Sequence, residues 1–292
     1  MARLHENIDR YTNQAPDRVT NRNQDDEFIL ETRSLTRDFG QMRAVDNVNI
    51  QVKAGEVFGL LGPNGAGKST TIKMLTTLLP PSSGSAAIAG LDLTHQPSEI
   101  RRAIGYVPQS LSADGSLTAY ENLLIFSKLY DIPRKYRESR IRDVLEFMGL
   151  TEAAHRLVRQ YSGGMIRRLE VAQSMLHQPQ VLFLDEPTVG LDPLARSYVW
   201  ALVQQLREQY GTTIILTTHF LEEADSLCDR VAIMQAGKVV VTGIPSELKA
   251  NLDREDATLD DVFIHYTGDQ MKTGGGNYRE TSRNRRTAQR LG

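Results

Sequence analysis

The sequence predicts an α/β fold in which a parallel sheet carries a helical insertion and an antiparallel β subdomain. Three observations lead there. "VFGLL", "VLFL" and "TIILTT" are apolar on consecutive positions, the pattern of parallel strands covered on both faces. Ahead of them, "FILETRSLTRDF" and "VDNVNIQVKAGEVFGL" alternate, as antiparallel strands do. Between Gln109 and Gln160, "TAYENLLIFSKLYD" and "PRKYRESRIRDVLEFMGL" space Leu, Ile and Phe at helical intervals.

The bulk numbers narrow the function. A chain of 292 residues, 40% hydrophobic and 24% charged, has the composition of a soluble protein with a substantial core. A net charge of −2 argues against a dedicated nucleic-acid binder. Cys228 is the single cysteine, which excludes an internal disulfide and fits a reducing compartment. No apolar run approaches the roughly 18 residues a membrane-spanning helix needs. "MARLHENIDRYTNQ" has no apolar signal segment. The chain is expected to stay cytoplasmic and to reach a membrane only through a partner.

The expected organisation is a polar tail over residues 1–27, a nucleotide-binding domain over 28–266 and a basic tail over 267–292. The helical subdomain is placed at about 109–165. The first tail holds six acidic and four basic side chains with almost no apolar periodicity, which predicts disorder. From Asp269 the last segment carries a net charge of +4. That composition suits a solvated flexible tail or a contact with acidic lipid headgroups.

Chemistry enters at "GLLGPNGAGKSTTIKML", where G-x-x-x-x-G-K-S runs from Gly62 to Ser69 between an expected strand and an expected helix. Gly62, Gly65 and Gly67 let the backbone wrap an anion closely, with Pro63, Asn64 and Ala66 completing the loop. Its amides and the positive end of the helix dipole suit phosphate. Lys68 reaches toward β- and γ-phosphates, Ser69 suits Mg²⁺, and Thr70 is the last nucleotide-binding candidate of the stretch. Nucleotide binding is the conclusion, with ATP and Mg²⁺ as the expected pair.

"VLFLDEP" then puts Asp185 and Glu186 at the carboxyl end of an apolar strand, where ligands collect in open α/β sheets. Neighbours on a strand point to opposite sides, so the two carboxylates are expected to work differently. Asp185 suits the metal, and Glu186 suits polarising a water for attack on phosphate. "GLDPLARSYVWALVQQLREQYG" reads as a helix capped by Asp192, opened by Pro193 and stopped by Gly211. His219 follows the strand "TIILTT". It is a structural hydrogen-bonder or, if that strand is central, a contact to the γ-phosphate. Gln109 in "YVPQS" marks a loop.

A second helix mouth opens at "YSGGMIRRLEVAQSM". Ser162 is the cap, and Gly163 and Gly164 leave the first amides bare, which makes another anion site. Ile166, Leu169, Ala172 and Leu176 give this helix its packing face.

In this order the motifs resemble those of the ATP-binding cassette (ABC) ATPases, over roughly residues 28–245. "GPNGAGKST" is similar to their Walker A, "VLFLDEP" to Walker B, "YSGGM" to the signature, Gln109 to the Q-loop, "GLDP" to the D-loop and His219 to the H-loop. The resemblance implies a P-loop NTPase core and two copies that sandwich two nucleotides head to tail. The signature helix of one copy caps the ATP held by the other. It further implies that Ser162 and Gly164 touch the γ-phosphate across the interface and that Asp192 bridges the copies. His219 would hold the γ-phosphate, and Gln109 would sense Mg²⁺ or the attacking water. Phe39 stands where an adenine-stacking ring is expected, or is a core-strand residue. Met165 departs from the Gln that commonly ends the signature.

Within the family, "YSGGMIRRLE", "DEPTVGLDP" and "TLDDVFIHYTG" are similar to the daunorubicin-resistance type of exporter ATPase. That likeness implies a separate membrane permease of the ABC-2 type and outward movement of drugs, lipids or polysaccharides. The chain would then sit peripherally on the cytoplasmic face of the cell membrane. A soluble, nucleotide-gated interaction module and an importer ATPase are the alternatives.

Overall fold

The computed structural model describes residues 28–252, 254 and 256–268; the expected tails over 1–27 and beyond Gly268 lie outside the described residues. In chain order come β1 (Phe28–Phe39), β2 (Met42–Val48), β3 (Gln51–Lys53), β4 (Val57–Leu61), α1 (Lys68–Leu75), β5 (Ser83–Ile88) and β6 (Leu91–Asp92). Next are α2 (Pro97–Ala103), β7 (Ile104–Val107), α3 (Ala119–Leu129), α4 (Arg134–Phe147) and α5 (Gly163–Met175). The chain continues through β8 (Val181–Asp185), α6 (Pro193–Tyr210), β9 (Thr213–Thr218), α7 (Leu221–Leu227), β10 (Arg230–Gln235), β11 (Lys238–Gly243), α8 (Pro245–Ala250) and α9 (Leu259–Thr267).

Two sheets result. One has the order β2-β1-β5-β6, with β3 also paired to β1, and every pairing is antiparallel. The other has the order β11-β10-β4-β9-β8-β7, parallel except for β11 on its edge. The apolar strands of the sequence are its centre. Their residues alternate between two cores. Leu182 and Leu184 join one core, with the helical block and α6, while Val181 and Phe183 join the other, with α1 and the antiparallel sheet. These four side chains expose at most 1% each, worth about 1.5–3 kcal/mol apiece, so a charge at Phe183 would break the sheet between its cores.

Register decides where the site lies. Asp185 pairs with Thr217 and Leu61 with Thr218, so β4, β8 and β9 end level with one another. The loops leaving these three strands therefore meet.

The helices end where local chemistry stops them. Asp192 accepts from the Ala195 amide at 2.9 Å, Pro193 opens α6, and Gly211 closes it at φ 60°. Thr118 and Glu121 form a reciprocal capping box at the start of α3. Two expected boundaries shift. α9 runs through Thr267, so a limit at 266 falls inside a helix. α5 starts within the expected helical block but continues to Met175, bonding the block through Arg168 to Met148 O (2.9 Å) and the core through Ser174 to Tyr106 O (3.1 Å). One rigid rod thus belongs to both lobes.

Candidate functional site

The loop from Gly62 to Gly67 joins the fully buried β4 to α1. A Cβ on Gly67 (φ 103°) would stand 2.6 Å from the Ala44 carbonyl oxygen, and one on Gly62 would stand 2.4 Å from that of Met234, so the loop lies hard against neighbouring backbone. Gly65 (φ 82°) has nothing within 4 Å of its Cβ position and is exposed beside Asn64, leaving one wall open to a ligand. No side chain caps α1, so its first amides remain available to an anion.

Inside the loop, Lys68 donates to the carbonyls of Gly62 (2.7 Å) and Pro63 (3.3 Å) and pairs with Glu186 at 3.1 Å. Both charged side chains are only 4% exposed. The other oxygen of Glu186 lies 2.5 Å from His219 Nδ1, which must carry the proton if the carboxylate accepts. Glu186 is therefore clamped between an ammonium and an imidazole.

Asp185 has different company. Its Oδ1 accepts from the hydroxyls of Ser69 (3.0 Å) and Thr217 (2.6 Å), and no lysine or arginine pairs with it among the described residues. The two carboxylates divide as expected, but strand alternation is not the cause. The strand ends at Asp185, and Glu186 turns into the left-handed region at φ 51°. Its amide donates to Thr217 Oγ1 at 2.9 Å, which fixes that turn.

The Ser69 hydroxyl and the Asp185 carboxylate are hard oxygen donors side by side, which suits Mg²⁺. No group of three or more His, Cys, Asp or Glu side chains that could hold a metal occurs among the described residues.

The remaining predicted residues divide into those brought close and those kept apart. His219 follows β9, a central strand, so its second reading gains its structural condition. Phe39 is 43% exposed beneath the Arg37 guanidinium, 4.8 Å from the ring centre, which overturns the core-strand alternative. Gln109 lies exposed in the loop after β7, next in the sheet to β8. Ser162 caps α5 by accepting from Met165 N at 3.3 Å. Gly163 and Gly164 face α6 and the turn before it: Cβ atoms there would stand 3.4 Å from Leu191 Cδ2 and 2.9 Å from Ala195 Cβ. Close helix approach thus explains Gly164 independently of any anion. Among the described residues, no hydrogen bond joins 162–164 to the phosphate loop of the same chain.

Sequence reasoning missed several residues. Thr217 is one of three threonines in β9 and stands two places before His219. Arg167 and Glu170, 1% and 2% exposed, form a buried ion pair at 3.0 Å on α5, whose face was expected to be apolar. Buried Glu223 accepts from Thr188 (2.9 Å), just past Glu186, and from Trp200 Nε1 (3.0 Å). Burial raises its carboxyl above the usual range.

Comparison with known proteins supports this reading. Residues 45–189 match the family model described as ABC transporter. The chain is 46% identical over 223 residues to the daunorubicin/doxorubicin resistance ATP-binding protein DrrA of Streptomyces peucetius, covering 76% of this chain and 67% of that protein. A solved ATP-binding subunit of an ABC transporter superposes with a TM-score of 0.73 at 30% identity, covering 82% of this chain and 100% of that one. A dimeric ATP-binding cassette in a post-hydrolysis state, bound to ADP and Pi, superposes with a TM-score of 0.65 at 28% identity, covering 74% and 98%. With the phosphate loop, the paired carboxylates and the histidine gathered at the ends of three level strands, this chain belongs to the ABC transporter family, as an ATP-hydrolysing subunit.

Proposed function

We propose that the chain powers outward transport of a drug, lipid or polysaccharide by hydrolysing ATP between two copies of itself, docked on a separate ABC-2 type permease. The observation that carries this reading is the division of labour at the strand ends. Glu186 is held by Lys68 and His219, while the Ser162–Gly164 mouth makes no bond to its own phosphate loop. Each copy so holds nucleotide with one helix mouth and offers the other to its neighbour. The solved dimeric relative with ADP and Pi is consistent with such an arrangement.

In the proposed reaction the phosphate loop and Lys68 grip the phosphates, and Phe39 stacks on the adenine. Glu186 takes a proton from water as the water oxygen bonds to the γ-phosphorus, and the bond to the β–γ bridging oxygen breaks to release ADP. His219 orients Glu186 and contacts the γ-phosphate, Gln109 reaches toward the water, and Asp192 serves the interface. Ser69 and Asp185, with Gln109, would hold Mg²⁺, which neutralises charge on the phosphate oxygens. Ser162, Gly163 and Gly164 of the partner copy add dipole and amide stabilisation.

No helix among the described residues is long and apolar enough to cross a membrane, so attachment to the cytoplasmic face would come through the permease. The helical block presents Leu111 (51% exposed), Ile125 (43%) and Leu129 (70%) for that docking. The similarity to DrrA supports the exporter assignment over an importer.

Glu186→Gln tests the reading. Phosphate release should fall by about 10²–10⁴-fold, the usual contribution of a positioned base, while ATP drives a stable dimer seen by light scattering. Wild-type turnover rejects the role of Glu186, and solitary chains with ATP reject the two-copy site. Purification from mild detergent should bring down an integral membrane protein.

A further inference from the structure

The buried pair Arg167–Glu170 lies one turn inside the helix whose mouth is Ser162–Gly164. Its bonds, however, run to a different loop. Arg167 donates from Nη1 to the Pro108 carbonyl at 2.7 Å and from Nη2 to the Gln109 carbonyl at 2.9 Å. The same guanidinium holds Glu170 Oε2 at 3.0 Å. Glu170 Oε1 in turn accepts from the Ser112 amide and, at 3.2 Å, from the Ser112 hydroxyl. Residues 108, 109 and 112 are thus fastened to α5 by one ion pair spanning almost sixty positions of sequence.

These bonds carry more than stability. The arginine Nε is buried without a partner among the described residues, and burial pulls the guanidinium below its usual range, so this cation is costly to keep. What the ion pair provides is direction: planar, forked donors fix two consecutive carbonyls, and a carboxylate fixes an amide three residues on. Because α5 is a single 13-residue helix, the loop bearing Gln109 cannot hold its place while the glycine mouth moves.

We infer that Arg167 and Glu170 are positioning residues that tie the Gln109 loop at one nucleotide to the helix mouth that caps the other. This rests on the two-copy reading proposed above. Closure of α5 onto the partner's ATP pulls the chain's own Gln109 into line, so the two sites turn over together. Neither side chain need touch nucleotide.

The test uses the full chain with Arg167→Lys and Glu170→Gln made separately. Lysine keeps the charge but loses the fork; glutamine keeps the shape but loses the charge. Steady-state phosphate release against ATP should lose cooperativity in both, the Hill coefficient falling from about 2 toward about 1. The maximal rate should drop at least about tenfold, while a fluorescent ATP analogue binds the isolated copies within about twofold of wild type. Ser112→Ala, which trims only the weaker contact, should lie between. If Arg167→Lys fails to fold by circular dichroism, Glu170→Gln alone decides. Wild-type cooperativity in folded Glu170→Gln overturns the tie while leaving the two-copy site intact. Failure of Glu186→Gln to dimerise with ATP overturns both.

Discussion

Lys68 and Glu186 face each other at 3.1 Å with 4% exposure on either side, and this contact makes a quantitative prediction for the nucleotide-free protein. At that distance and an effective dielectric of about 20, the gross attraction is about 5 kcal/mol. Desolvation offsets much of it, but removing one partner strands the other. Lys68→Met leaves a buried carboxylate with only His219 and should cost about 2–4 kcal/mol of unfolding free energy. Glu186→Gln leaves an ammonium that still has the carbonyls of Gly62 and Pro63, and should cost about 1–2 kcal/mol. The double variant strands no charge. It should be more stable than the sum of the single losses implies, by about 2 kcal/mol. Urea unfolding without nucleotide, followed through the single tryptophan Trp200, measures all four corners of the cycle. Additivity within about 0.5 kcal/mol would refute the coupling between Lys68 and Glu186.

His177 Nε2 donates to Ile104 O at 2.8 Å, its ring stacks on Tyr130 at 3.8 Å, and burial lowers its pKa to about 4. Below the ordinary value of about 6.5 the unfolded chain binds the extra proton, so wild-type stability should fall by about 2 kcal/mol between pH 7 and pH 5, and His177→Phe should flatten that fall. Gly164→Ala puts a methyl 2.9 Å from Ala195 Cβ, which should cost about 1–3 kcal/mol and lower phosphate release. Adding Ala195→Gly should restore both, as melting and turnover would show. Glu223 has its carboxyl raised by burial, so its contribution works against folding as pH climbs through the shifted value. Glu223→Gln should therefore gain stability relative to wild type between pH 5 and pH 8 in urea titrations.

What could be read from the sequence was what local spacing dictates. Gly62 to Ser69, Asp192 with Gly211, and the apolar run ending at Asp185 each announce a loop, a capped helix or a buried strand within a few residues. Ser162 capped α5 as its position implied. The rest depended on residues far apart in the chain. Helical period placed Leu169 inward but gave no hint that Arg167 would be 1% exposed, because its partners are carbonyls 58 and 59 positions away. The orientation of Glu186 came from a hydroxyl on β9, 31 positions on, rather than from strand pleat. Gly164 looked like an opening for phosphate, and only the approach of Ala195 shows its packing duty.

The left-handed backbone at Glu186 has a consequence for selection. Glycine or asparagine would rest there more comfortably, by about 1 kcal/mol, yet either would strand the Lys68 ammonium, so backbone and ion pair pull this codon in opposite directions. A library screened for heat resistance alone would therefore gain little at position 186, because relief at the bend is offset by the stranded ammonium. The chain keeps a strained glutamate because only a long carboxylate launched from that bend meets both the ammonium and the imidazole.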